Sequence, residues 1–483
     1  MEWKPIKQGR LPVYKQIAEY METRIMNGEY PSGTCLPSER FLASELGVNR
    51  GTVISAYDEL HAVGLVARVK GIGTVVNPDL AGDGVQKRVP NWDNYVKGGF
   101  FHINNPLNQQ IYRILQSNED IVNFGVGELS QDLQPIKLMQ AVHRSMEIND
   151  YLGYEQMQGN EKLRMTISHH LKKYRSIHST PSSILITSGA QQALHLIIQC
   201  LLQPGDAVAI EDPSYAYSLP IFHSAGLKTH CLPVGDEGVD PDDIVALYKR
   251  HRIKMVFLNP IFQNPTGRTL SIERRKQIIH LSTHYGIPIV EDDPYSIIGY
   301  DDDAPQNTLK SMDRDGAVLY ISSLSKIVSS GLRIGWIVGP QPVINRLTDA
   351  KQQIDFGHPN YPQWIAERLL AADGFEAHLM QLRKNLKLKR DLITDALRRE
   401  LGNDMEFTMP EGGIHLWCKL QGEWDESALF KESIRRGVVF APGTTLGSRE
   451  GYMRFTYSRA DLDRIDEGVR RFAEAAAAVR KAK

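Results

Sequence analysis

The sequence predicts a multidomain chain: an N-terminal winged helix–turn–helix of α+β type, then an α/β unit that closes with a smaller α+β lobe. Three observations predict it. At 483 residues the chain exceeds the roughly 250–300 at which single cores stop growing. Residues 11–76 pass from helical periodicity to strand alternation around two glycines. From about residue 180, short runs rich in Val and Ile alternate with longer helical patterns, as a largely parallel sheet requires.

Composition bounds the function classes. Hydrophobic residues make up 42% and charged residues 23%, the balance of a globular protein, and no run of about 18 apolar residues is present to cross a bilayer. The opening "MEWKPIKQGRLPVYK" lacks the apolar centre of a secretory signal, so a cytoplasmic protein without membrane partners is expected. Cys35, Cys200, Cys231 and Cys418 form no CxxC pair, which argues against a disulfide framework or a zinc site. A formal net charge of −1 gives no general attraction to nucleic acid, so any such binding must come from locally placed bases.

The elements follow in order. Tyr14, Ile17, Met21 and Ile25 recur at helical steps across residues 11–28, and Gly28 and Pro31 end the run. In "LPSERFLASELGVNRGTVISAYDELHAVGLV", Ser38 can cap a helix carrying Leu42 and Leu46. Gly47 permits a tight turn, and Asn49 can cap a second helix with Val53, Tyr57 and Leu60. "GLVARVKGIGTVV" then alternates around Gly71 and Gly73 as a hairpin, a candidate wing. We assign residues 1–78 to this head. Residues 79–110, clustered in Pro, Gly, Asp and Asn, are expected to form a linker, and 111–483 the remaining unit. Within that unit, strands are expected in 183–187, 207–212, 254–260, 287–295, 317–323 and 333–340, with ligands beyond their C-terminal ends. "GIHLWCKL" and "GYMRFTYS" supply strands to the last lobe.

Four stretches carry chemistry. "ITSGAQQAL" takes a strand into a helix whose N-terminus, opened by Gly189, suits an anion; it also reads as an ordinary turn. "EDDPY", 291–295, sets carboxylates at a strand end, where one could pair with a protonated ring nitrogen or simply face water. "QNPTG", 263–267, places the Asn264 amide in a turn after a buried strand. In "SSLSKIVSSGLRIGW", 322–336, Lys326 follows a buried strand and precedes Arg333. Such a lysine can lose proton affinity and attack an aldehyde, although a single lysine is more commonly a surface residue. Ser323, Ser325 and Arg333 suit a phosphate. His280 and His284 have metal-pair spacing without a third ligand and read as a solvated helix face, so no metal is assigned. "GIGTVV" runs into a strand and is no dinucleotide fingerprint.

Taken together, "TSGAQQAL", "EDPSYAY", "QNPTG", "EDDPY", "SSLSKIVSSGLRIGW" and "PEGGIHLW" occur in the order seen in class I aminotransferases, the fold-type I enzymes of pyridoxal 5'-phosphate (PLP). Joined to a head that resembles the GntR type, the chain resembles MocR-type transcriptional regulators over nearly all its length except the linker. The resemblance implies PLP as cofactor and Lys326 as its Schiff-base lysine, the one catalytic residue. Asp292 would partner the pyridine nitrogen, Tyr295 and Asn264 the phenolic oxygen, and Tyr215 would stack on the ring. Ser323, Arg333, Gly189, Ala190 and Gln191 would surround the phosphate, reached also by Tyr154 from a neighbouring subunit of a homodimer. Arg454 would grip a ligand carboxylate. Ala190 stands where many relatives have Ser or Thr, so one phosphate hydroxyl is missing.

At the head, Arg50, Gly51 and Thr52 open the recognition helix and are expected to meet bases and phosphates of double-stranded DNA. Ser38 and Arg40 are expected on the phosphate backbone, and Arg68 and Lys70 on the wing beside the adjacent backbone or minor groove. Glu39, Glu45, Asp58 and Glu59 nearly balance these bases. The reading that follows is a regulator in which an amino acid or other amino compound displaces Lys326 from PLP. An active aminotransferase carrying a DNA-binding appendage is the alternative, and a cofactor-free scaffold a weaker third.

Overall fold

Ile17, Ala18, Met21 and Ile25 all turn inward on the first helix, α1 (Val13–Met26), as their spacing of one, three and four predicts. The computed structural model describes residues 3–7, 9, 11–77, 92–117, 120–146, 153–300 and 307–481. It forms two units, divided between Phe100 and Phe101.

In the first unit, α1 packs with α2 (Glu39–Leu46) and α3 (Arg50–Ala62) around a core of Ile17, Met21, Leu42, Val53, Tyr57 and Leu60. The Ser38 hydroxyl accepts the Phe41 N–H at 3.3 Å and so caps α2, while Gly47 ends that helix in the left-handed region at φ 63°. Asn49 holds the N-cap position of α3, but its side chain makes no cap bond; its backbone carbonyl takes the Thr52 N–H at 3.0 Å instead. β1 (Val66–Val69) and β2 (Gly73–Val76) then pair antiparallel, Val66 opposite Val76. The short helix α4 (Trp92–Lys97) also falls in this unit.

Of the stretch expected as a linker, residues 79–91 lie outside the described residues, and its end is ordered as the start of α5 (Pro106–Ser117), in the second unit. Proline occupies the first helical position, where its missing N–H costs nothing, and the Asn105 side chain accepts the Leu107 N–H at 2.9 Å. Leu107, Ile111, Ile114 and Leu115 lay the helix on the main core. That apolar spacing was legible beneath the Asn-rich composition.

The second unit is built on an eight-stranded sheet. Its strands are β4 (Ile184–Thr187), β5 (Ala207–Asp212), β6 (Lys228–Gly235), β7 (Gly238–Val239), β8 (Met255–Leu258), β9 (Ile289–Asp292), β10 (Val318–Ser323) and β11 (Gly335–Val338), following a short β3 (Val122–Asn123). They lie in the order β4-β11-β10-β9-β8-β5-β6-β7. The pairs from β10 through β9, β8 and β5 to β6 are parallel; β11 is antiparallel to both of its neighbours. Side-chain alternation sorts each strand between two cores. Leu185, Val290, Leu319, Ile321 and Ile337 enter the core under one face, while Ile186, Ile289, Tyr320 and Trp336 enter those of the other. Each such aliphatic burial contributes about 1.5–3 kcal/mol. The sequence pattern had not picked out β6 and β7; β6 is mostly exposed or half-buried and lacks a continuous apolar run.

The C-terminal lobe carries β12 (Met405–Phe407), β13 (His415–Leu420), β14 (Val438–Val439), β15 (Ala441–Pro442) and β16 (Tyr452–Thr456). Four of them form a sheet ordered β12-β13-β16-β15, while β14 pairs with β3. The helices Gly374–Leu401 and Ile465–Lys481 cover it.

Candidate functional site

Strands β5, β8, β9 and β10 run parallel, so Asp212, Leu258, Asp292 and Ser323 end at one edge of the sheet. The connection from β10 to its antiparallel neighbour β11, residues 324–334, crosses that same edge and carries Lys326 and Arg333. A cavity of about 520 Å³ opens there. It is the position that a parallel sheet reserves for ligands, because strand ends leave both backbone groups and helix N-termini exposed to it.

The Lys326 side chain reaches into this cavity, where its Nζ donates to the Gly127 carbonyl at 2.5 Å. Burial lowers its pKa to about 8; the Arg454 and Arg333 cations act in the same sense, and the Glu128 and Asp292 carboxylates oppose them. Arg333 sits at φ 53°, in the left-handed region, and its Nη2 donates to the Ser188 carbonyl at 2.7 Å. The guanidinium thereby lies against Gly189, where an added Cβ would meet it at 2.7 Å. Gly189, at φ 79°, is the N-cap of the helix Ala190–Leu201, so free N–H groups and a cation share one cradle. Ala190 and Gln191 line it beside Ser323, whose hydroxyl accepts the Ser325 N–H at 3.3 Å.

The three successive acids at the end of β9, Glu291 and Asp292 within it and Asp293 just beyond, have three fates, as strand alternation demands. Glu291 accepts the Leu309 and Lys310 N–H groups at 2.8 and 2.7 Å. Asp293 pairs with buried Arg175 at 2.9 Å and accepts from Tyr320 at 2.7 Å. Asp292, pointing the other way, lines the cavity, and its buried Oδ1 has no hydrogen-bond partner. Burial and the neighbouring Asp293 push its carboxyl up to about 7, with Lys326 opposing. An orphaned acid oxygen in a buried site calls for an external donor.

Tyr215 and Asn264 line the same cavity, and the Tyr215 N–H donates to the Asn264 carbonyl at 2.9 Å. The Asn264 Oδ1 accepts from Arg454 Nη1 at 2.9 Å, which leaves its amide NH2 as a donor, with the Tyr295 hydroxyl as a neighbouring partner. Arg454, on β16, is 6% exposed, and its Nη2 donates to the Gly125 carbonyl at 2.7 Å. No carboxylate pairs with it among the described residues, and its Nε has no hydrogen-bond partner there. The structure thus brings Lys326, Asp292, Tyr295, Asn264, Tyr215, Ser323, Arg333, Gly189, Ala190, Gln191 and Arg454 around one cavity. Tyr154 is not among them: it is 80% exposed and tilted on Phe356, with ring centroids 6.1 Å apart.

Sequence reasoning assigned no role to several groups that line or back the cavity. Asn108, Gln109 and Tyr112 come from α5, hidden by the linker-like composition around them. Gly125, Gly127 and Glu128 follow β3, too short to show as a strand. His415 is paired opposite Thr456 on β13 and β16. Its signal was a polar residue inside "GIHLW", an otherwise apolar run.

On the head, Arg40, Arg50, Gly51, Arg68 and Lys70 are exposed, and Thr52 is half-buried. Two of the bases are engaged internally: Arg50 pairs with Glu39 at 3.0 Å and Arg68 with Asp58 at 2.5 Å. The exposed Ser38 spends its hydroxyl on the α2 cap. Glu39→Gln frees Arg50 and removes a negative charge from beside it. It is expected to tighten DNA binding about two- to fivefold at low salt, read by fluorescence anisotropy across a salt series.

The comparisons agree with this layout. Residues 119–472 match the model of aminotransferase class I and II, and residues 13–76 that of bacterial regulatory proteins of the gntR family. An uncharacterized HTH-type transcriptional regulator of Bacillus subtilis, YisV, is 39% identical over 480 residues, 98% of either chain. The HTH-type transcriptional regulator NorG of Staphylococcus aureus is 30% identical, covering 90% of this chain and 97% of its own. Among solved structures, the kynurenine aminotransferase of Pyrococcus horikoshii, in complex with PMP, superposes with a TM-score of 0.72 at 29% identity, over 79% of this chain and 96% of that one. LysN, the α-aminoadipate aminotransferase of Thermus thermophilus complexed with N-(5'-phosphopyridoxyl)-L-leucine, gives 0.71 at 29%, over 77% and 96%. With a gntR-family head on an aminotransferase unit, and full-length likeness to HTH-type regulators, the chain belongs to the aminotransferase class I and II family, in its MocR-type regulator branch.

Proposed function

We propose that this chain is a PLP-dependent, DNA-binding transcriptional regulator whose aminotransferase-like unit senses an amino acid or other primary amine at Lys326. One observation carries it: a lysine with a pKa lowered to about 8 shares a cavity with an orphaned buried acid and a carboxylate-free arginine, on a chain that also bears a gntR-family head. The residues fit the cofactor. Asp292 Oδ1 lacks the donor that a protonated ring nitrogen supplies, and the cradle of Gly189 and Arg333 suits a phosphate. Bound there, PLP supplies an aldehyde that condenses reversibly with primary amines.

The chain's own residues do the rest. Lys326 would hold the cofactor, and its amine is the group that a ligand's amine would replace. Asp292 would keep the ring nitrogen protonated, Tyr295 and the Asn264 amide would hold the phenolic oxygen, and Tyr215 would cover the ring. Ser323, Arg333 and the N–H groups opening at Gly189, Ala190 and Gln191 bind the phosphate. Arg454 receives the ligand's carboxylate in exchange for Asn264 and Gly125. Exposed Tyr154 completes the phosphate site of a second copy, in a homodimer that acts in the cytoplasm. Residues 1–78 read double-stranded DNA through Ser38, Arg40, Arg50, Gly51, Thr52, Arg68 and Lys70, and the tether from 79 onward joins them to the sensing unit.

DNA occupancy measured with and without a panel of amino compounds tests this reading. At least one compound is expected to change both the cofactor spectrum and operator affinity, by about 5–150-fold. Steady-state transamination with a 2-oxo acid, without any change in DNA binding, overturns it. A second outcome concerns the amine itself. At pH 7 roughly a tenth of Lys326 is neutral, against about one in three thousand for an ordinary lysine. The rate of PLP attachment to the cofactor-free protein is therefore expected to rise with pH and level off above a midpoint near 8, followed by stopped-flow absorbance.

A further inference from the structure

His415 is 2% exposed and takes no part in the roles above. Its Nε2 lies 2.9 Å from the Tyr295 hydroxyl and its Nδ1 3.0 Å from the Thr456 hydroxyl, directly across the β13–β16 pair. The ring is held edge-on to Tyr295, at an interplanar angle of 86°. It also abuts Gly127, where an added Cβ would come within 3.3 Å of Cε1, and the Gly127 carbonyl is the acceptor for Lys326. The imidazole therefore has two hydrogen-bond partners, one facing the cavity and one behind it. Burial, with Arg454 and Lys326 as neighbouring cations, keeps it neutral.

Resting on the reading in which the Tyr295 hydroxyl meets the cofactor's phenolic oxygen, we propose that Thr456, His415 and Tyr295 form a hydrogen-bond relay. In it His415 is the positioning residue that keeps the tyrosine hydrogen directed at that oxygen. A neutral imidazole has one donor and one acceptor. When Thr456 donates to Nδ1, Nε2–H donates to the Tyr295 oxygen, whose own hydrogen then points into the cavity. The opposite tautomer draws that hydrogen back toward Nε2 and leaves the cofactor oxygen without its donor. A buried threonine that never touches the ligand is thereby linked to a tyrosine that does, and successive donors in the chain strengthen one another.

The test is the pH midpoint of the visible absorption of the PLP-loaded protein, in a site where Lys326 also faces Asp292, Glu128, Arg333 and Arg454. A phenolic oxygen held by a strong donor loses its partner proton at lower pH. His415→Phe and Thr456→Val are therefore each expected to raise the midpoint by about one pH unit. His415→Gln, whose amide can donate to Tyr295, recovers most of the shift. In a Tyr295→Phe background neither replacement moves the midpoint further. Unchanged midpoints in both His415→Phe and Thr456→Val, or shifts of full size that persist without the Tyr295 hydroxyl, overturn the relay. Thr456→Val nearly preserves shape, so it reports even where His415→Phe fails to fold. A wild-type protein with no visible cofactor band removes the PLP reading and the relay together, a result distinct from a normal band with immovable midpoints.

Discussion

Lys326→Ala abolishes the effector response while leaving DNA binding in the absence of effector intact. The expected result follows from where the amine sits. Among the described residues its amine has one hydrogen bond, to the Gly127 carbonyl, and burying it already costs enough to bring its pKa down to about 8. Removing the cation leaves the fold standing, since an uncompensated buried charge stabilises little. What disappears is the covalent exchange through which a metabolite's amine is registered. A coupling that changes promoter affinity about 5–150-fold collapses to none. Borohydride reduction followed by peptide mass mapping is expected to find cofactor attached at residue 326 in the wild type and nowhere in the variant. Anisotropy titrations on operator DNA with and without effector give the second readout. A variant that still responds fully to effector refutes exchange at this lysine.

Arg454→Met has the second largest expected effect, and it separates affinity from attachment. The guanidinium is buried, donates to Asn264 and Gly125, and has no salt-bridge partner among the described residues. Such a fork donates bidentately to a carboxylate once its bonds to Asn264 and Gly125 give way. Its removal is expected to weaken effectors bearing an α-carboxylate by about 2–4 kcal/mol, on the order of 30- to 1000-fold. Simple amines without a carboxylate should bind the variant and the wild type alike. Spectral titrations with an amino acid and its decarboxylated counterpart measure the difference. Equal losses for both ligands would place the carboxylate elsewhere.

Much of this site was legible in the sequence because its parts lie at strand ends, where a buried apolar run stops at a polar residue. "IPIVEDDPY" and "AVLYISSLSK" are of this kind, and β9 and β10 end at Asp292 and Ser323. Which of three adjacent acids would face the cavity was given by resemblance; the strand supplies the reason, since Glu291 and Asp293 turn to the other face and find partners there. Less legible were features that arise only when distant segments meet. β13 and β16 are separated by a helix and two short strands, so nothing local in "GIHLW" reveals that His415 faces Thr456 and reaches Tyr295. α5 was masked by its neighbours: an Asn-Pro pair that opens a helix reads, from composition alone, like the end of a flexible stretch. The capping of α3 differed for a comparable reason, because a backbone carbonyl did the work expected of the Asn49 side chain.

The placement of α5 has a mechanical consequence. Asn108, Gln109 and Tyr112 are part of the chamber wall, and the helix that bears them is the first long element after the division of the chain at Phe100. A guest molecule large enough to crowd Tyr112 presses on the first long helix of the second unit. Fewer than thirty residues, 78–105, then separate the occupied chamber from the last strand of the wing. Metabolite bulk, as distinct from its amine or its acid group, is in this way registered by α5 itself.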